Sequence, residues 1–139
     1  MPDALNRQNL NPEGLHQRRV NDLLLYSHAV IVDQPQKLIF ISGQLARAAD
    51  GSIVGVGDMR AQLRKTLENL RTALFAAGAD LRNLVRTNTY VTDIDEYFKH
   101  VDVRMEFYSH AMPTSTTVEV RRLAQPELLV EIDAIAALG

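Results

Sequence analysis

The sequence predicts an α+β domain, with a sheet of about five to six strands and two helices packed on one of its faces. Three observations predict it. Met59, Leu63, Leu67, Leu70 and Leu74 recur at spacings of three and four, the period of a helix with one buried stripe. Val85, Thr87, Thr89 and Val91 alternate with Arg86, Asn88 and Tyr90, the period of a strand with one buried face. The runs 116–120 and 128–136 add further β-rich segments after the last helical stretch.

Taken in order, Leu23 to Val32 is largely apolar, Pro35 and Gln36 interrupt it, and Lys37 to Gln44 follows; these two runs are expected to pair as a hairpin. Asp50-Gly51 marks a turn, and Asp58 is the N-cap candidate of a helix over 58–77 that Gly78 ends. The strand centred on 85–91 comes next. Asp93 with Glu96 three residues on resembles a capping box, opening a second helix whose face is Phe98, Val101, Met105 and Tyr108. Pro113 breaks that helix, and the last two strands are separated by a loop around Gln125-Pro126. The element order is thus β-β-α-β-α-β-β. Two helices cover only one sheet face, and Val118, Val120, Val130 and Ile132 are too apolar to stand in water on both sides. Burial against other copies of the chain is expected.

The 139 residues suit one domain, and 46% hydrophobic with 23% charged residues is the balance of a folded globular protein. Residues 1–21 form a polar N-terminal arm ahead of a single domain over 22–139. Fifteen Lys+Arg against seventeen Asp+Glu leave a net charge of −2, so the electrostatic attraction that drives nucleic-acid binding is missing and no nucleic-acid partner is expected. With no cysteine there is no disulfide scaffold and no thiolate site. No apolar run spans a bilayer and residues 1–21 lack a signal-like apolar stretch, so a cytoplasmic protein without membrane contact is expected.

Phosphate loops, dinucleotide fingerprints, H-E-x-x-H and G-x-S-x-G are all absent. His16, His28, His100 and His110 have no ligand spacing, so no metal is implied. What remains is a set of polar residues in apolar strands: Tyr26 and Ser27, Ser42 and Gln44, Ser115 and Thr117, Glu131 and Asp133. Glu131 is the sharpest, flanked by Val130 and Ile132; burial would raise its pKa and make it a proton donor or acceptor. From spacing alone, an exposed residue or a cross-strand partner of Arg121 or Arg122 is the better reading. Gly43, between Ser42 and Gln44, marks either a bulge or a close approach of ligand to backbone.

Tyr26-Ser27-His28-Ala29, Ile41-Ser42-Gly43-Gln44, Glu68-Asn69-Leu70 with Ala76-Ala77-Gly78-Ala79-Asp80, Tyr90-Val91-Thr92-Asp93, Val118-Glu119-Val120 and the run Leu129 to Ala136 stand in an order that resembles the Rid family, also called YjgF/RidA. The match covers 24–137, and Asn11-Pro12-Glu13-Gly14-Leu15 is similar to the start of some members. The resemblance implies a chorismate-mutase-like fold assembled as a homotrimer, its sheets forming a central barrel, with a small-molecule site in each cleft between subunits. It implies cofactor-free hydrolysis of reactive enamines and imines, such as 2-aminoacrylate, to a keto acid and ammonia. In that chemistry Glu131 matches the glutamate that positions or activates water. Backbone groups near Gly43 and Thr117 hold the substrate, and Tyr26 matches a tyrosine that reaches in.

The family's P-A-R-S segment, whose arginine clamps a substrate carboxylate, is here Pro113-Thr114-Ser115-Thr116, with Ser115 at the arginine position. Asp102 matches an asparagine of the cleft. The expected pocket therefore holds Asp102 and Glu131 and no obvious cation, which disfavours small carboxylates and favours neutral or cationic ligands, or else raises one carboxylate's pKa. The expected activity is hydrolytic deamination of a small imine, enamine or amine metabolite, 2-aminomuconate-type substrates included, with poor turnover of 2-iminopropionate. A non-catalytic ligand-binding or regulatory trimer is the alternative, and the sequence leaves open whether the chain is an enzyme. The ribonuclease or translation-inhibitor activity attached to some relatives is disfavoured by the charge balance.

Overall fold

In the computed structural model, which describes residues 5–139, the chain runs β1 (Asn6–Leu10), β2 (Arg19–Val20), β3 (Leu23–Leu24), β4 (Ala29–Asp33), β5 (Lys37–Gln44), α1 (Met59–Ala76), β6 (Leu84–Val91), α2 (Ile94–Phe98), α3 (Val101–Tyr108), β7 (Thr114–Glu119) and β8 (Val130–Leu138). The main sheet has four strands in the order β5-β8-β6-β7. Its pairs are antiparallel except β6 with β7, which is parallel because α2 and α3 form the crossover between them. The α+β class and the helices on one sheet face are as the sequence predicts. The strands divide differently: two small ribbons, β1 with β4 and β2 with β3, stand beside the main sheet.

Helix α1 forms for the reasons its sequence supplies. The Asp58 side chain accepts from the Ala61 N–H, and at the other end Gly78 takes φ +81 while the Ala79 N–H returns to the Leu74 carbonyl. Met59, Leu63, Leu67, Leu70 and Leu74 are all buried where α1 packs over β8, whose Val130, Ile132, Ala134 and Ala136 are buried, and over β5. Two polar side chains lock this packing. Gln62 donates to the Gly55 and Glu127 carbonyls and accepts from the Leu129 N–H, so a buried amide meets its partners on both sides. Asn69 donates to the Leu45 and Arg47 carbonyls, tying the chain beyond β5 to α1.

Three expectations change. The hairpin expected between Leu23–Val32 and Lys37–Gln44 is absent: Gln34 adopts φ +47 before Pro35, and Gln36 gives its N–H to the Leu138 carbonyl, delivering β5 to β8 while β4 pairs with β1. The second helix is two, because a turn at Lys99-His100 separates α2 from α3. The polar N-terminal stretch joins the fold from residue 6 onward; Met1 to Ala4 lie outside the described residues. Arg7 donates to the Leu84 and Ala111 carbonyls, and Asn9 reaches Ser27 Oγ and the Ala111 carbonyl, so β1 braces the link from α3 to β7.

Candidate functional site

Side-chain alternation divides the main sheet into two chemically different faces. Toward the helices, β7 presents Ser115 and Thr117, in parallel register with Thr87 and Thr89 of β6. With Tyr26, Ser115 and Thr117 line a cavity of about 120 Å³ whose apolar wall is Leu25, Ile94 and Phe98. Two guanidinium groups complete the lining, Arg18 and Arg104, and no carboxylate contributes to it. This corrects the expected cation-free pocket. Arg18 lies 4.2 Å from the centroid of the Phe98 ring. Arg104, on α3, is only 2% exposed and donates to Tyr97 Oη (3.1 Å), Thr117 Oγ1 (3.4 Å) and the Leu25 carbonyl (2.8 Å). Ser115 Oγ accepts from Thr87 Oγ1 at 3.1 Å.

The other face carries Glu131 and Asp133 of β8 beside Arg86, Asn88 and Tyr90 of β6, Glu131 standing opposite Tyr90 in register. Asp133 is a node: it accepts from Asn88 Nδ2 (2.8 Å) and Tyr90 Oη (3.1 Å), while Arg86 donates to Asn88 and to Thr116 Oγ1. Glu131 has no such partner, and its carboxyl is pushed above the usual range, first by burial and then by the Asp133 charge. Its carboxylate lies against Gly43, where β5 bulges between Ile41 and Gln44; a Cβ on Gly43 would collide with Glu131 Oε2. The bulge reading of this glycine is therefore the one the structure has, and the group in close approach to its backbone is the Glu131 side chain. Gly43 and Gln44 also edge a wide groove of about 620 Å³ beside α1, with Arg47, Lys65 and Asn69 on its walls. Ser42 is exposed, and its carbonyl accepts from Gln44 Nε2.

Within one protomer the sequence-predicted residues thus fall into separate places. Tyr26, Ser115 and Thr117 meet in the cavity; Glu131, Gly43, Gln44 and Ser42 gather at the β5 edge. Asp102 joins neither, pairing with Arg60 at 2.7 Å across the N-terminal ends of α3 and α1, which holds its carboxyl down at about 2. Among the described residues no group of His, Asp and Glu is arranged for a metal ion, and no helix is long and apolar enough to cross a membrane. Arg104 is the residue that the sequence reading passes over. The signal was its spacing: Val101, Arg104, Met105 and Tyr108 follow each other by three, one and three, which puts the arginine on the buried stripe of α3.

Residues 17–138 match the family model described as Endoribonuclease L-PSP. The chain is 34% identical over 115 residues to a 2-iminobutanoate/2-iminopropanoate deaminase of Bos taurus, covering 82% of this chain and 80% of that one. It is 32% identical over 111 residues to a RutC family protein of Pyrococcus abyssi, covering 80% and 84%. Among solved structures it matches YyfB of Yersinia pestis, described as a Rid-family protein of unknown function, with a TM-score of 0.82 and 35% identity over 96% of this chain and 99% of that one. TdcF of E. coli with bound serine matches at a TM-score of 0.67 and 28% identity, over 75% and 83%. The order of motifs, the α+β fold and these matches agree, and the chain belongs to the Endoribonuclease L-PSP family, the Rid or YjgF family.

Proposed function

We propose that this protein is a cofactor-free hydrolase that deaminates a small reactive imine or enamine, in clefts between the subunits of a homotrimer. The observation that carries the reading is the Glu131 carboxyl, set against Gly43 at the sheet edge and raised in pKa by burial, in a chain whose relatives include imine deaminases. A carboxyl so placed holds a proton near neutrality better than an ordinary glutamate does, and can take one from water or return one to a leaving amine. Water adds to the imine carbon as Glu131 positions it and removes its proton. With the imine entering protonated on nitrogen, the proton held by Glu131 passes to the carbinolamine nitrogen, and the carbinolamine hydroxyl gives its own proton back to the carboxylate as the C–N bond breaks, leaving the carbonyl and ammonia. An enamine enters the same route once protonated on carbon to its imine.

The oligomer is supported by the face on which Glu131 stands. Leu38, Phe40 and Val118 share it, and Phe40 is 72% exposed in the single chain, an apolar surface that a second copy would remove from water. Assembly would also bring the Glu131 edge of one copy toward the Ser115 cavity of another, uniting the two halves that one protomer keeps apart.

Ser115 removes the bidentate strand clamp, so slow turnover of 2-iminopropionate relative to arginine-bearing relatives is expected, by roughly 30- to 1000-fold. That serine also favours a second reading, a ligand-binding trimer without turnover. The deciding assay measures keto acid and ammonia released from freshly generated imines of differing size, with wild type and Glu131→Gln. Acceleration that the variant loses supports the hydrolase; ligand binding with no acceleration of any imine selects the binding protein.

A further inference from the structure

We propose that the cavity behind Ser115 is a receptor for a small carboxylate, and that its counter-charge is Arg104, carried by α3 rather than by strand β7. Arg104 is 2% exposed, yet no Asp or Glu pairs with it among the described residues. Its three hydrogen-bond partners, Tyr97 Oη, Thr117 Oγ1 and the Leu25 carbonyl, are all neutral, as is the Tyr108 ring whose centroid lies 5.5 Å from the guanidinium carbon, and its Nε is buried with no hydrogen-bond partner. A guanidinium removed from water without a counter-ion is unfavourable until an anion completes it. Arg104 borders the cavity, and that lining holds a second cation, Arg18, and no anion.

The geometry also says how such a ligand would be held. The bond to Thr117 Oγ1 is the longest of the three at 3.4 Å, and Thr117 is itself part of the lining, so this N–H is the one a ligand oxygen would take over. Ser115 Oγ already accepts from Thr87, which leaves its own proton to donate to the same carboxylate. Leu25, Ile94 and Phe98 offer an apolar wall to the rest of the molecule, and about 120 Å³ admits only a small acid. One charge-assisted hydrogen bond replaces a bidentate fork, so the site selects carboxylates but holds them less tightly than a strand arginine would.

This inference rests on reading the cavity as the ligand end of the proposed cleft, but its test is binding alone. Titration calorimetry on the full chain would compare pyruvate with its neutral isostere pyruvamide at matched ionic strength. At least tenfold tighter binding of pyruvate is expected. Because changes at Arg104 disturb a buried network, the decisive variant is Ser115→Glu, which places a carboxylate inside the cavity. It should abolish pyruvate binding and raise the melting temperature, as an internal anion completes the guanidinium. Absent pyruvate binding at millimolar concentration, equal binding of pyruvamide, pyruvate binding retained in Ser115→Glu, or a fall in that variant's melting temperature would each overturn the proposal. Carboxylate binding without imine turnover would leave it standing while the hydrolase reading fails, and turnover of neutral imines without pyruvate binding would do the reverse.

Discussion

The two faces of the main sheet solve the same problem, polar groups beside a packed core, in opposite ways. On the helix side the polar groups are hydroxyls and arginines: Ser115, Thr117 and Arg104 border a small cavity, and the charge there is positive. On the open side they are two carboxylates, Glu131 and Asp133, with the Asn88 amide, the Tyr90 phenol and the Arg86 guanidinium, and the surface continues into exposed Leu38 and Phe40. The difference teaches that neither face is a complete site. One has a cavity lined by two guanidinium groups and no carboxylate; the other has a carboxyl with a raised pKa that lines neither that cavity nor the groove Gly43 and Gln44 edge. Chemistry on an anionic imine needs both, and in one protomer a sheet stands between them.

The largest expected effect comes from breaking the open face. Phe40→Arg puts a charge in the middle of the apolar surface proposed to bury against other copies. Light scattering after size exclusion should show wild type at about three times the 15.6 kDa protomer mass and the variant near a single protomer, with imine hydrolysis lost along with assembly. A folded, active monomeric variant would show that one protomer's site suffices.

Next in size is Gly43→Ala. The added methyl must displace the Glu131 carboxylate, at a cost of about 1–3 kcal/mol, and should lower hydrolysis on the order of 100-fold. In the Glu131→Ala background the same Gly43→Ala change should cost little stability, because the clash has gone. A double-mutant cycle by denaturant unfolding checks this, and additive costs would mean that the two residues do not interact.

How much of this was legible beforehand follows from what each signal depends on. Helix α1 was readable to within a residue or so because cap, stripe and terminal glycine are local in sequence. The buried alternation of β6 was readable for the same reason. The β4 to β5 hairpin was not, since whether two neighbouring runs pair with each other or with β1 and β8 depends on residues far along the chain. Motif order groups Tyr26, Ser115 and Thr117, which line one cavity, with Asp102 and Glu131, which stand apart from it and from each other. Motifs are one-dimensional, and the sheet that separates residues is not written in their spacing. Arg104 was legible in principle; an arginine on an apolar stripe reads as a substitution until the fold shows a cavity at its tip.

Glu131→Gln sharpens the comparison from the side of pH. The folded protein holds the Glu131 carboxyl above its ordinary value of about 4.5, so the protonated form is favoured by folding. The stability this group contributes is therefore fully present below the unfolded pKa and is lost as pH rises through the folded one. Glutamine, neutral at every pH, escapes that loss. The variant should melt with wild type near pH 4 and at or above it near pH 8, while hydrolysis falls by roughly 100-fold at both. A variant that melts well below wild type at pH 8 would make Glu131 a structural residue rather than a reactive one.

The smallest effect belongs to Asp102, and it tests whether that carboxylate takes part in either face. Its partner Arg60 holds it at 2.7 Å, both side chains are about half exposed (44% for Arg60 and 55% for Asp102), and the carboxyl is depressed to about 2 from an ordinary 3.8. The sign here is opposite to that of Glu131. The pair's contribution is present above the ordinary value and disappears as pH falls through the folded one, and solvent screening keeps it small throughout. Asp102→Asn should therefore melt barely below wild type at pH 7 and together with it near pH 2. Raised salt should shrink even the neutral-pH difference, because an exposed pair is screened while the buried groups around Arg104 are not. Since the Asp102 side chain lines neither the cavity nor the Gly43 edge, hydrolysis and pyruvate binding should stay within about twofold of wild type. A change of tenfold or more in either, with melting unaltered, would show that assembly swings Asp102 into the cleft, and that its acidic charge must be weighed against Arg104 there.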